Sequence, residues 1–338
     1  MFSITLKDVA ARAEVSVSTA SRALAGSSLI TPETSKKVIQ AARELGYRPN
    51  VQARALRNAK SNAIGLVVPS LDNPFFAHIA AAIETAANAQ GIATIISSSA
   101  EDPQRLIASL ETLEQRQMDG IIAVPLHGCE TTLHRIAKER PLILVDRELD
   151  NLPAVVSDPL PGIAAAVAQL REKGHRHIGY LSGPQETSTG RARQEAFIQQ
   201  TSNLKVSVYQ GGFEYQNGYE GMLNLLTKGV TAIIAGDSMM TSGALAACHE
   251  AGVKVGEQLA LVGFDDNVFL RIQPTPVSVI DQDVQTLGSQ AALRLIKAIN
   301  TKTTPIGLRH PTRYLARSST DFPPTTPTSQ ATQPGQAN

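Results

Sequence analysis

Residues 5–24 read TLKDVAARAEVSVSTASRAL, two short helical patterns separated by a polar break. Thr5 and Asp8 have the spacing of a capping box, so a helix is expected to begin there. Leu6, Val9, Ala10 and Ala13 then recur at helical spacing. Glu14-Val15-Ser16 interrupts the pattern, and Ser16 is placed to cap a second helix that ends near Gly26 and turns Ala20, Ala23 and Leu24 inward. A third helix opens at Thr31-Pro32-Glu33, with Pro at its first position and an acid in its first turn. It closes at Leu45-Gly46, with glycine just past its end.

Charge separates this head from the rest of the chain. Residues 1–60 hold 10 Lys and Arg against 4 Asp and Glu, out of 31 and 30 in the whole chain. A basic head on a mildly acidic body is what a nucleic-acid-binding module fused to a different domain shows. From Ala63 the texture changes to short apolar runs, each followed by a helical pattern. One series comprises Ile64–Val68, Ala93–Ile96, Gly120–Val124 and Leu142–Val145; a second comprises Ile178–Leu181, Val206–Tyr209, Ala232–Ala235 and Leu259–Gly263. Nearly continuous apolar strands alternating with helices predict parallel sheets covered on both faces, and two such series predict two similar lobes. Ligands of such sheets sit outside the carboxyl ends of the strands. Residues 321–338, rich in Pro, Thr, Gln and Ser, read as a disordered tail.

Composition narrows the function. No stretch has signal-peptide character or the roughly 18 apolar residues needed to span a bilayer, so a cytoplasmic protein without membrane contact is expected. Cys129 and Cys248, the two cysteines, are far apart and lack metal-ligand spacing, so neither a disulfide framework nor a zinc site is expected. There is no glycine-rich dinucleotide turn, Walker A lysine motif or nucleophile elbow. An enzyme is therefore not expected, and no cofactor is called for. The seven histidines are scattered, and His175 and His177 read as surface residues.

The segment from Thr5 to Leu24 resembles the N-terminal signature of the LacI/GalR family of bacterial repressors. The resemblance continues through Val38–Leu45, Gly46-Tyr47-Arg48-Pro49-Asn50 and Ala53-Arg54-Ala55-Leu56, and then covers the body to about residue 320. It implies an α/β protein with an N-terminal three-helix helix-turn-helix head (1–49) and a hinge helix with linker (50–61). Two Rossmann-like α/β lobes of periplasmic-binding-protein type (62–320) would bind the effector and dimerise. The partners implied are double-stranded operator DNA, a small-molecule effector and a second copy of the chain. Ser16–Arg22 would be the recognition helix, with Val17, Ser18, Thr19, Ser21 and Arg22 offered to the major groove. Arg22 can chelate guanine, Ser18 can bond several base edges, and Val17 can pack on a thymine methyl. Thr5, Leu6, Ser16, Thr31, Thr34 and Tyr47 would touch phosphates or fix register. Asn50, Ala53 and Leu56 belong to the hinge, which orders over the minor groove when two protomers meet, with Leu56 as its wedge.

Ser70-Leu71-Asp72-Asn73-Pro74-Phe75-Phe76 resembles the ribose-type branch of periplasmic sugar-binding proteins and related repressors. That resemblance implies effector contacts from Asn73, Phe75, Phe76, Asp146 and Arg147 in the first lobe. It adds Arg193, Phe213, Asp265 and Gln282 from the second lobe and the last crossover. The aromatics offer apolar faces to a sugar, and the paired charges hold neighbouring hydroxyls. One position departs: Gly236 stands where the ribose type carries an asparagine. The lost amide is expected to open space, which makes a ribonucleoside such as uridine as eligible as free ribose. Effector binding would close the lobes and release the operator, although co-repression by a non-pentose effector would use the same parts. Residues 321–338 carry no apolar heptads, so a homodimer is expected in place of a tetramer.

Overall fold

The structure, a computed structural model, describes residues 4–24, 26–47 and 61–324. The hinge residues Asn50, Ala53 and Leu56 lie outside the described residues, as do residues 325–338 of the tail. The head and the body form separate compact units.

In the head, α1 (Leu6–Arg12), α2 (Val17–Leu24) and α3 (Pro32–Glu44) follow the expected boundaries closely. The Asp8 carboxylate accepts the N–H and the hydroxyl of Thr5 at 2.7 and 2.8 Å. Ser16 Oγ accepts the N–H of Thr19 at 3.1 Å, and Thr31 Oγ1 that of Thr34 at 3.3 Å. These caps take up helix-end donors that would otherwise lack partners. Gly46, at φ +64°, supplies the left-handed turn that ends α3. The core of the head is Val9, Ala10, Ala20, Ala23, Val38, Ala41 and Ala42, mostly small side chains that let three short helices approach closely. An Arg12–Glu44 ion pair at 2.6 Å ties α1 to α3.

The body contains two six-stranded sheets. The first has β1 (Ala63–Val68), β2 (Ala93–Ser98), β3 (Gly120–Ala123), β4 (Leu142–Val145), β5 (Ala154–Asp158) and β11 (Leu308–Pro311), in the order β11-β5-β4-β3-β1-β2. The second has β6 (His177–Ser182), β7 (Lys205–Gln210), β8 (Ala232–Ala235), β9 (Ala260–Phe264), β10 (Ser278–Asp281) and β12 (Arg313–Leu315), in the matching order β12-β10-β9-β8-β6-β7. All pairings are parallel except β10 with β12. Lobe one is covered by α4 (Pro74–Asn88), α5 (Pro103–Gln115), α6 (Glu130–Glu139) and α12 (Val284–Thr301). Lobe two is covered by α7 (Leu160–Glu172), α8 (Ser188–Gln200), α9 (Tyr215–Thr227), α10 (Ser238–Glu250) and the short α11 (Val268–Arg271). The inner strands are buried on both faces as expected, whereas the edge strands β2 and β7 are not. Ile95 and Ile96 of β2 are exposed.

The chain passes between lobes three times: after Asp158, at Gln282 and at Thr312. Gln282 thus occupies the middle crossover, not the last. Thr312 Oγ1 donates to Asp158 O at 2.8 Å and accepts from Gly162 N at 3.0 Å, which ties the last crossover to the first.

Two expectations are corrected. His175 is fully buried: its Nδ1 lies 3.0 Å from Thr231 Oγ1, and its ring meets Phe322 edge-on at 5.6 Å. The ordered body accordingly runs past residue 320. Asp321 pairs with Lys173, and Phe322 packs against the core of lobe two.

Candidate functional site

On the head, α2 presents Ser16, Val17, Ser18 and Arg22 to solvent, with Ser21 half-buried beside them. Positions 17, 18, 21 and 22 share one helix face, as a groove-reading helix requires. Ser16 Oγ lies 2.9 Å from Ser18 Oγ and 2.8 Å from the half-buried Thr19 Oγ1, a hydroxyl cluster at the helix start. Thr5 and Thr31 are exposed at their caps, with Thr34 half-buried against Thr31. Leu6 and Tyr47 differ from the rest, because both pack against the core of the head. The Leu6 side chain is half-buried and contributes to the core of the head.

In the body, one cavity of about 220 Å³ between the lobes is lined by all nine residues expected to hold an effector: Asn73, Phe75, Phe76, Asp146, Arg147, Arg193, Phe213, Asp265 and Gln282. The fold explains how residues so far apart in sequence converge. Asn73 caps α4 by accepting Phe75 N–H at 3.0 Å, which holds Phe75 and Phe76 at the end of β1 with their rings edge-on at 5.1 Å. Asp146 and Asp265 each follow the last residue of a strand, β4 in lobe one and β9 in lobe two. Both have left-handed backbones, φ +69° and +61°. Each donates its N–H across the sheet, to Val155 O at 3.0 Å and Ile280 O at 2.9 Å. The same device thus sets one carboxylate at the mouth of each lobe, at a backbone cost of about 1–2 kcal/mol per residue. Phe213 reaches the cavity across Gly183, where a Cβ would lie 2.0 Å from the ring.

Arg193 is the hub. It donates to Gly236 O at 2.6 Å and to Gln282 Oε1 at 2.9 Å, and its guanidinium sits 4.2 Å from the Phe264 ring centroid. Gln282 also accepts from Ser157 Oγ at 2.6 Å and donates to Asp265 Oδ1 at 2.6 Å, so the middle crossover is bonded to both lobes. Arg147 gives both Nη groups to Glu101, at 2.9 and 2.7 Å. Asp237, Glu101, Thr189, Tyr215 and Met239 also line the cavity and were not expected from sequence. Asp237 and Glu101 could have been found by applying the strand-end rule to β8 and β2 as well.

Burial pushes the carboxyls of Asp146 and Asp237 above the ordinary range; Arg147 and then Arg193 pull Asp146 back, and the Met240 N–H and then Arg193 pull Asp237 back. Asp265, buried beside both, is raised from 3.8 to about 7. Its contribution to stability is therefore complete below pH 3.8 and is lost as pH rises through about 7. Asp265→Asn keeps an acceptor for Gln282 and removes the desolvated charge. It is expected to raise Tm at pH 8 by roughly 2–4 °C, with the gain shrinking at pH 5. Thermal melts at the two pH values check this; equal shifts at both would remove the assigned role of burial.

The geometry corrects one expectation. A Cβ on Gly236 would lie 2.6 Å from Leu181 O and 3.2 Å from Tyr180 Oη, pointing into the sheet. The absence of a side chain at Gly236 therefore reflects close backbone approach between β8 and β6, and it opens no room in the cavity.

Residues 5–50 match the family described as bacterial regulatory proteins of the lacI family, and residues 167–320 match the periplasmic binding protein-like domain. The HTH-type transcriptional repressor PurR of Pasteurella multocida is 31% identical over 309 residues, 88% of this chain and 92% of that one. A crystal structure of a probable LacI family transcriptional regulator from Corynebacterium glutamicum is 42% identical, with a TM-score of 0.70 over 76% of this chain and 98% of that one. The lac repressor dimer bound to operator and the anti-inducer ONPF is 25% identical, with a TM-score of 0.85 over 94% and 99%. No helix among the described residues is long and apolar enough to cross a membrane. With these relatives, a capped three-helix head and a polar interlobe cavity in the body, the chain belongs to the LacI family of DNA-binding transcriptional repressors.

Proposed function

We propose that this repressor acts as a homodimer on a pseudo-palindromic operator and is released from it when a neutral, ribose-like sugar fills the interlobe cavity. The observation that carries the reading is the convergence of nine expected contacts on one cavity whose polar groups are carboxylates, guanidinium groups, two amides and hydroxyls. Such a set satisfies sugar hydroxyls, which both donate and accept, while Phe75, Phe76 and Phe213 supply apolar surface for the C–H face. The size of about 220 Å³ favours a monosaccharide, being below the ~300–1,000 Å³ of drug-sized pockets. A candidate ribose operon repressor of Burkholderia thailandensis is 28% identical, with a TM-score of 0.69 over 76% of this chain and 99% of that one. The dimer is supported by exposed apolar side chains: Ile95 and Ile96 on lobe one, and Val268, Phe269 and Ile272 on lobe two.

A ribonucleoside is the second reading. It is favoured by an outer cavity of about 670 Å³ that shares Glu101, Arg147, Phe213 and Glu214 with the inner one. Operator DNA recovered by selection from random duplex provides the assay. Gel shifts with D-ribose and uridine are expected to show release by one of them, matched by calorimetric binding to the protein. Silence from both would reject the pentose reading, and strengthened DNA binding would reverse the sign of control.

A further inference from the structure

We propose that Glu101 sets the chemical class of ligand: by clamping Arg147 it closes the cavity to anions and reserves it for neutral polyols. This role rests on the sugar-binding reading and adds the residue that separates a free sugar from its phosphate ester or acid.

Arg147 is nearly fully buried, with 4% of its side chain exposed, and a buried guanidinium beside a polar cavity is the usual receptor for a phosphate or carboxylate. Here its end-on pair of donors is spent on Glu101, and its Nε edge faces the Asp146 carboxylate at 3.7 Å. One cation thus sits between two carboxylates. Arg193, the other arginine lining the cavity, spends its two Nη groups on Gly236 O and Gln282 Oε1. The Nε of each arginine is buried without a hydrogen-bond partner among the described residues. What the pair retains is single N–H donors, suited to hydroxyl oxygens, in a cavity where Glu101, Asp146, Asp237 and Asp265 outnumber the cations. An entering anion would meet Glu101 and whichever of the buried aspartates are ionised, with the guanidinium donors already engaged, and at low effective dielectric such repulsion is strong.

Glu101 is held in place by unusual backbone. It and Ala100 are consecutive non-glycine residues in left-handed conformation, φ +55° and +51°, just after β2. Its side chain is half exposed, at the opening where the inner cavity meets the outer one. Truncating it removes little packing, but it uncovers the Arg147 fork.

The test uses the full chain and titrates inorganic phosphate, D-ribose 5-phosphate and D-ribose by calorimetry into wild type, Glu101→Ala, Glu101→Gln and a Glu101→Ala/Arg147→Ala double variant. Glu101→Ala is expected to bind both phosphates at least tenfold more tightly than wild type, and Glu101→Gln at least threefold. The double variant loses the gain, which assigns it to Arg147 and not to the DNA-reading head. Should Glu101→Ala melt too low to titrate, the near-isosteric Glu101→Gln decides alone. Equal phosphate affinity in wild type and single variants, or a gain that survives in the double variant, overturns the proposal. Inorganic phosphate carries no pentose, so this outcome is independent of whether D-ribose binds.

Discussion

Arg22→Ala is expected to weaken binding to the selected operator by roughly thirtyfold to twenty-thousandfold while leaving effector binding by the body unchanged. A bidentate arginine–guanine contact discriminates by about 1–3 kcal/mol, and a dimer on a two-fold operator loses two of them, about 2–6 kcal/mol together. Arg22 is exposed on the same face of α2 as Val17 and Ser18, and the caps at Ser16 and Thr31 fix the helices that present it. The decisive control is random-sequence DNA. A base contact predicts that specific affinity falls while non-specific affinity and its salt dependence hardly change. A phosphate contact predicts a uniform loss on all sequences, with the salt slope reduced by about 0.9 for each contact removed. A uniform loss would therefore remove Arg22 from base reading and leave it a positioning role.

The head was legible almost residue by residue because its helix ends are written in capping chemistry: Thr5 with Asp8, Ser16, and Thr31 with Pro32 all sit where side chains meet free backbone donors. Eight strands, β1–β4 and β6–β9, were legible because continuous apolar runs have few other uses. β5, β10, β11 and β12 were not predicted. β11 and β12 are short, carry Arg309, His310 and Arg313, and owe their strand character to the neighbours they pair with across a lobe crossover. Leu6 shows where sequence is silent: a helix-start residue can face the core as well as a partner, and only packing shows that its side chain is half-buried against the head core. At the cavity, residues from motifs were found, while Glu101 was not. It lies three residues past the end of β2, where the strand-end rule points, but in a left-handed loop whose course an Ala-Glu dipeptide does not announce. Gly236 shows the converse error: a missing side chain was taken for space, when a close carbonyl was the reason for it.

Arg193→Ala is expected to abolish effector binding and to leave a repressor that the effector no longer releases, with a stability loss that grows with pH. Removing one member of a buried charge network costs about 3–5 kcal/mol when its partners keep their charge. The partners here are Asp146, Asp237 and Asp265, all already pushed upward by burial and all held down by Arg193. Without the guanidinium, their folded-state values rise further above the 3.8 of an exposed aspartate. Stability tied to such groups is complete below that value and is lost as pH climbs through the folded value, so the window of loss widens upward. Near pH 5 the three carboxyls can take up protons and tolerate the missing cation. At pH 8 the variant must either keep them protonated against bulk solvent or bury charge that has lost one of its partners. Thermal melts of wild type and variant at pH 5, 6.5 and 8 are expected to diverge progressively, with the gap largest at pH 8. A gap independent of pH would show that Arg193 supports the fold through its bonds to Gly236 and Gln282 alone. Those bonds also predict how the signal travels. Gln282 links Arg193 and Asp265 of lobe two to Ser157 at the end of the lobe-one sheet. A ligand that draws on Arg193 and Asp265 is therefore expected to perturb the crossover between the lobes, and a variant without Arg193 to lose the bond that couples it to Gln282.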